Sequence, residues 1–217
     1  MIKVPSARVL VGVPSGDRLC AETAMDIAML VSFSRPVIAG LLNAQHSCID
    51  HNHNDLVEQS HKINATHIMF IDSDQRFPED ALAVLLNHRK DIVGATYRIR
   101  NPPHSLITAP VDPTQPRKGL REEKWITSGC MLVNSRVFDA IEYPWFRHTY
   151  GKSTAEFQGG DKNFCLKAVG MGGFKCWVDH DLSRRVEHIC GNFPLPYPDD
   201  DEIILPHPLN DQNVIPT

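Results

Sequence analysis

The sequence predicts an α/β domain built on a mostly parallel sheet flanked by helices on both faces. Three observations lead there. Apolar runs of strand length recur along the chain, at residues 8–13, 67–72, 91–97 and 129–133, and near-continuous runs of this kind suit strands covered on both faces. Between them lie stretches whose apolar residues follow the helical repeat. Short connections rich in Pro, Gly and Ser separate the two kinds of segment, and alternating strands and helices favour parallel pairing.

Each element can be justified in order. The first strand, residues 8–13, is closed by Pro14, Ser15 and Gly16, and a helix follows over about 22–33. An apolar run at 36–42 leads into a helix over 55–65, where Leu56, Val57, Ser60 and Ile63 share a face. The alternating His51 and His53 just before it read as solvent-facing residues of a polar loop, with a second metal site as the less favoured reading. Pro78 suits a first helical position, and Leu82, Leu85 and Leu86 give one buried face to a helix ending near His88.

From 101 to 124 the periodicity fails. Pro102, Pro103, Pro110, Pro113 and Pro116 crowd this stretch, which reads as an irregular insertion. Regularity returns with a strand at 129–133, a helix around Val137, Phe138 and Ile141, another around Phe164, Leu166 and Ala168, and a strand at 174–178. The domain is therefore drawn over 1–191. Residues 192–217, rich in proline and carrying an acidic run at 199–202, are expected to form an extended tail.

Composition excludes several classes. Of 217 residues, 42% are hydrophobic and 22% charged, ordinary for a globular domain and far from disordered or fibrous usage. Lys and Arg total 22 against 26 Asp and Glu, a net charge of -4, with no basic block, so nucleic acid is not an expected partner. No apolar run approaches the roughly 20 residues of a membrane helix, and the first residues lack the apolar stretch of a signal peptide. A soluble, cytoplasmic protein without a transmembrane segment is the expectation. The six cysteines form no C-x-x-C pair and are expected to be free thiols, most of them buried.

The chemistry concentrates after the strand at 67–72. Asp72 and Asp74 stand immediately past its carboxyl end, where open α/β sheets place their ligands. Two carboxylates so close in a crevice repel unless a cation lies nearby, and hard oxygen ligands suit Mg²⁺ or Mn²⁺. The alternative is a turn whose acids cap the following helix. Asp161 opens a later helix, as an N-cap or as a functional acid. His188 is a candidate third ligand or an ordinary hydrogen-bonded histidine. Arg98 is a candidate phosphate contact or a solvated surface residue.

In their order along the chain, 13–16, the D-x-D at 72–74, 129–133, Asp161 with Phe164 and Cys165, 177–179 and His188 resemble the nucleotide-sugar-dependent glycosyltransferases of the GT-A fold, small virus-encoded members included. The resemblance spans about residues 8–191. It implies transfer of a sugar from a UDP- or GDP-linked donor to a hydroxyl of a glycan or other acceptor, with inversion. Pro14, Ser15 and Gly16 would border the nucleotide, Asp72 would contact donor ribose or sugar and also lie at the metal, and Asp74 and His188 would hold Mn²⁺ or Mg²⁺. Asp161 matches the general base, Arg98 would steady phosphate, and Gly129 would let a sugar approach the backbone. Gly160 stands where many relatives carry a further acid. The chain is small for such an enzyme, which leaves room for a homo-oligomer. Two other classes fit the topology: a nucleotidyltransferase that makes a nucleotide-sugar, and a non-catalytic sugar-binding domain.

Overall fold

A computed structural model describes residues 7–16, 18–102, 104–107, 109–151, 157–191 and 193–198. The chain runs through β1 (Val9–Pro14), α1 (Ala21–Phe33), a 3-10 turn (Arg35–Val37), β2 (Ile38–Ala44), α2 (Ile49–Lys62), β3 (His67–Ile71) and β4 (Gln75–Arg76). It continues with α3 (Ala81–Asn87), β5 (Ile92–Gly94), β6 (Leu120–Glu123), β7 (Cys130–Asn134), α4 (Ser135–Asp139) and α5 (Gly160–Gly172). The last elements are β8 (Cys176–Asp179), α6 (His180–Ser183), β9 (Glu187–Cys190) and β10 (Phe193–Leu195).

Seven strands form the central sheet in the order β2-β1-β3-β7-β5-β8-β6. Pairing fixes their directions: β2, β1, β3, β5 and β8 run one way, while β7 and β6 run against them. All six residues of β1 are buried, as a central strand covered on both faces requires. Alternate strand residues feed two cores. Val9, Val11, Met69, Ile71 and Val93 pack with Ile27 and Leu30 of α1 and Leu82 and Leu85 of α3. Ile68, Phe70, Ile92 and Met131 pack on the other face with Leu56 and Val57 of α2, Phe138 of α4 and Phe164 of α5. The expected α/β layering, helices on both faces included, is present.

Three local differences from the sequence reading bear on the site. Helix α2 begins at Ile49, six residues before the expected start at residue 55, so His51 and His53 lie on a helix and not in a loop; His53 is buried. Its first turns face inward with polar groups that hydrogen-bond other chain segments, which hydropathy cannot reveal. The insertion at 101–124 contains β6, a charged edge strand paired antiparallel with β8, and its Glu122 forms an ion pair at 2.7 Å with Lys175, the residue just before β8. Helix α3 starts at Ala81, with Pro78 in the preceding turn, whose carbonyl accepts the Ala81 N–H.

A second, three-stranded sheet, β10-β9-β4, crosses the carboxyl end of the main one. In it Gln75 pairs with His188, and the Ile189 N–H donates to the Asp74 carbonyl at 2.9 Å. β10 takes Phe193–Leu195 out of the expected tail, while its remainder from 199 onward lies outside the described residues. Among the described cysteines Cys130, Cys165 and Cys176 are buried free thiols, Cys20 is half-buried and Cys48 exposed. Among the described residues no helix is long and apolar enough to cross a membrane.

Candidate functional site

The carboxyl ends of β1 and β3 open into a cleft of about 470 Å³. Pro14 and Gly16 after β1, Asp72 and Asp74 after β3, Arg100 beyond β5, Asp161 on the first turn of α5 and His188 on β9 all line it. The sheet topology thus gathers residues separated by up to 174 positions, His188 less Pro14, at one rim.

Asp74 and His188 face each other. Oδ1 of Asp74 lies 3.4 Å from Nε2 of His188, with side-chain exposures of only 10% and 12%. The other ring nitrogen, Nδ1, lies 2.8 Å from the Arg98 carbonyl, so it carries the proton and donates, which leaves the Nε2 lone pair directed at the cleft. Burial holds His188 below the ordinary histidine range, hence neutral at pH 7. The Arg100 guanidinium closes this corner: its NH2 group pairs with Asp74, and Nε donates to His188 Nε2 at 3.2 Å.

These two residues fit a divalent ion. Adjacent ligands of an octahedral ion at about 2.1 Å stand about 3 Å apart, close to the observed separation, and a histidine whose second nitrogen is fixed by a backbone carbonyl is the usual metal-ligating arrangement. An imidazole beside a carboxylate tilts the choice from Mg²⁺ towards Mn²⁺. Among the described residues no group of three His, Cys, Asp or Glu side chains converges on a shared point, so the remaining ligands would have to be water and substrate oxygens.

Asp72 is differently held. Its Oδ2 accepts from the Tyr97 hydroxyl at 3.1 Å, and the same hydroxyl accepts the Gly129 N–H at 3.1 Å. Burial pushes the Asp72 carboxyl up to about 6, with the nearby charge of Asp161 adding to the rise and the Tyr97 hydrogen bond opposing it. Burial raises Asp161 as well, against the backbone N–H groups of Lys162, Asp161 and Ser128 that favour its charged form. Neither Asp72 nor Asp74 caps α3, which has no side-chain cap. Residues 73–74 do form a turn, but the helix-capping role of the two acids is absent.

Three expected contacts come out otherwise. Ser15 is buried and donates to Asn43 Oδ1 at 2.6 Å, so only its neighbours Pro14 and Gly16 reach the cleft. Arg98 serves through its carbonyl, and Arg100, two residues on, is the arginine that lines the cleft. Gly129 is glycine for an internal reason: a Cβ there would lie 2.2 Å from Tyr97 Oη and 2.7 Å from Asp72 Oδ2, so the space a sugar would need is already filled.

Sequence reasoning missed Asp50 and His148 and took His53 for a solvent-facing residue, whereas it is buried. All three line the cleft beside Asp161. His148 Nδ1 lies 2.5 Å from Asp50 Oδ2, and a Cβ on Gly160 would come within 2.1 Å of Asp50 Oδ1. The absent side chain at Gly160 is thus replaced in space by a carboxylate from α2. The one signal in the chain was the density of polar residues at 50–54, too many for a helix face unless each has a partner.

No protein-family model matches the chain, and no curated protein sequence does. Among solved structures, A197 from STIV is similar, with a TM-score of 0.57 and 12% identity over 88% of this chain and 95% of that one. At that identity the likeness shows a shared mixed α/β fold and carries nothing about chemistry.

Proposed function

We propose that the chain is a metal-dependent glycosyltransferase of GT-A type, moving a sugar from a nucleoside-diphosphate donor to a hydroxyl with inversion. The observation that carries this reading is the pairing of Asp74 with His188 at 3.4 Å on one side of a cleft that also holds the half-buried acid Asp161. Asp74 and His188 would hold Mn²⁺ or Mg²⁺, which when bound supplies Lewis-acid charge for the departing diphosphate.

The chain's own groups do the rest. Pro14 and Gly16 bound the place for the nucleotide. Arg100, released from Asp74, pairs with a phosphate in the bidentate way a guanidinium favours. Asp72 accepts a hydrogen bond from a donor hydroxyl, its free orientation restricted by Tyr97. Asp161 takes the proton from the attacking hydroxyl; its raised affinity for protons places it nearer the working pH, which suits a general base. In-line displacement then requires the acceptor to enter on the Asp161 side, away from Asp74.

The test is a panel of UDP- and GDP-sugars incubated with the chain and Mn²⁺, with release of nucleoside diphosphate measured for wild type and for Asp161→Asn. The reading expects release with at least one donor and a loss of about 10²-fold or more in the variant. Pyrophosphate production from a nucleoside triphosphate would point instead to a nucleotidyltransferase. Binding of sugars with no release from any donor would leave a sugar-binding domain.

A further inference from the structure

The part of the cleft lined by Asp50, His53 and His148 has a construction of its own. Helix α2 clamps the segment after α4 by three hydrogen bonds from two side chains. Asn54 donates to the Phe146 carbonyl at 2.8 Å and accepts the Phe146 N–H at 3.1 Å, while Asp50 accepts the His148 N–H at 2.6 Å. Thr149 and Gln158 exchange both backbone hydrogen bonds, at 3.1 and 2.9 Å, so the two flanks of this loop are clipped together, and Asn163 of α5 donates to the Arg147 carbonyl at 2.7 Å. A wall tied from two helices is pre-formed for a ligand, not an incidental surface.

What this wall offers is mostly hydrogen-bond acceptors. Asp50 presents a carboxylate whose Oδ2 is taken by His148. His53 Nδ1 lies 2.9 Å from the Ile49 carbonyl and so donates to it, which makes Nε2 an acceptor. That Nε2 is buried and has no hydrogen-bond partner among the described residues. Burial drives the His53 pKa down to about 4, so the ring does not acquire a proton there at neutral pH. A buried acceptor without a partner costs stability unless a ligand satisfies it.

Outward from His148 the wall turns aromatic. The Phe157 ring stacks on His148 with centroids 5.1 Å apart, and Tyr150, 77% exposed, follows at 5.2 Å from Phe157. Ring faces carry partial negative charge, and the C–H groups on one face of a pyranose carry the complementary positive charge. Several acceptors at the base and a run of ring faces leading outward match a molecule with many O–H donors and an apolar C–H face.

We infer that Asp50, His53 and His148, continued by Phe157 and Tyr150, form the acceptor subsite, and that the acceptor is a carbohydrate and not an isolated hydroxyl of a peptide or a lipid alcohol. The inference rests on the transferase reading of the cleft. In it the attacking hydroxyl lies at Asp161, a neighbouring hydroxyl donates to Asp50 or His53, and the next sugar lies along Tyr150.

The test is retention of the full chain on an array of immobilised mono- and oligosaccharides in the presence of UDP and Mn²⁺. Wild type is expected to be held by a subset of glycans. Asp50→Asn and His148→Ala should weaken that binding about ten-fold, as expected for a lost hydrogen bond to a charged group. Tyr150→Ala, at an exposed position that the fold does not depend on, should weaken it roughly three-fold or more. Absence of wild-type retention on every glycan, or retention that all three changes leave untouched, overturns the inference. The transferase reading is scored separately, by the rise in melting temperature that UDP or GDP with Mn²⁺ should produce. Glycan retention without that rise removes the transferase and leaves a glycan-binding cleft.

Discussion

Asp74 Oδ1 stands 3.4 Å from His188 Nε2, and backbone pairing of β4 with β9 holds the two there. Because the ladder and not the side chains sets this spacing, removing one ligand should leave the fold intact. Asp74→Asn is therefore expected to keep the wild-type melting temperature without metal and to lose the Mn²⁺-dependent rise seen with UDP. Isothermal titration with Mn²⁺ should show a loss exceeding the roughly 10–100-fold that changes outside the ligand set cause.

Arg100 competes for the same carboxylate. Its side chain is 55% exposed while that of Asp74 is 10% exposed, so solvent screens the guanidinium end of the pair and the guanidinium can leave. Arg100→Ala should tighten Mn²⁺ binding without nucleotide by at least roughly two- to five-fold, the worth of an ion pair exposed at both ends. The same change should weaken UDP binding in the presence of Mn²⁺, because the guanidinium is then missing from the phosphates. Weaker binding of both would contradict the exchange proposed for it.

Asp72 gives a pH-dependent signature. Its carboxyl is raised from about 3.8 to about 6 in the folded chain. The group therefore contributes stability when protonated, below about 4, and that contribution is lost as pH rises through 6. At pH 7 the ionised side chain destabilises the fold, so Asp72→Asn should stabilise it by up to about 3 kcal/mol, two pKa units at about 1.4 kcal/mol each. Urea denaturation at pH 7 and pH 4 checks this: the gain should shrink to near zero at the lower pH, and donor binding should fall in the same variant.

Asn54 satisfies both backbone groups of Phe146 from within the core. Asn54→Ala leaves a buried N–H and a buried carbonyl unpaired, a cost of about 2–4 kcal/mol. Denaturant unfolding measures it. A loss below about 1 kcal/mol would mean that water enters and the wall around His148 is looser than described.

The fold was legible wherever burial on both faces made the residues apolar. β1, β3 and β7 stand out as runs such as Val9 to Val13, and the two acids after β3 stand out because nothing else in that run is charged. β6 was not legible, since a short edge strand reading Leu-Arg-Glu-Glu keeps charged side chains that an inner strand excludes. The cleft residues Asp74 and His188 could be named from the chain, but Arg100 was passed over for Arg98, because two arginines two positions apart look alike in sequence and only the folded structure shows which one lines the cleft. Asp50, His53 and His148 were hidden for a different reason. Their partners lie some ninety residues away, or in a cavity, and no local spacing encodes such a pairing.

The most direct measurement is anomalous scattering at the manganese edge from crystals grown with Mn²⁺ and UDP or GDP. One ion bonded to Asp74 and His188, with diphosphate oxygens completing its shell and Arg100 moved onto a phosphate, is the predicted result. Nucleotide bound in the cleft with no ion at that pair, and Arg100 still clasped on Asp74, would contradict the account.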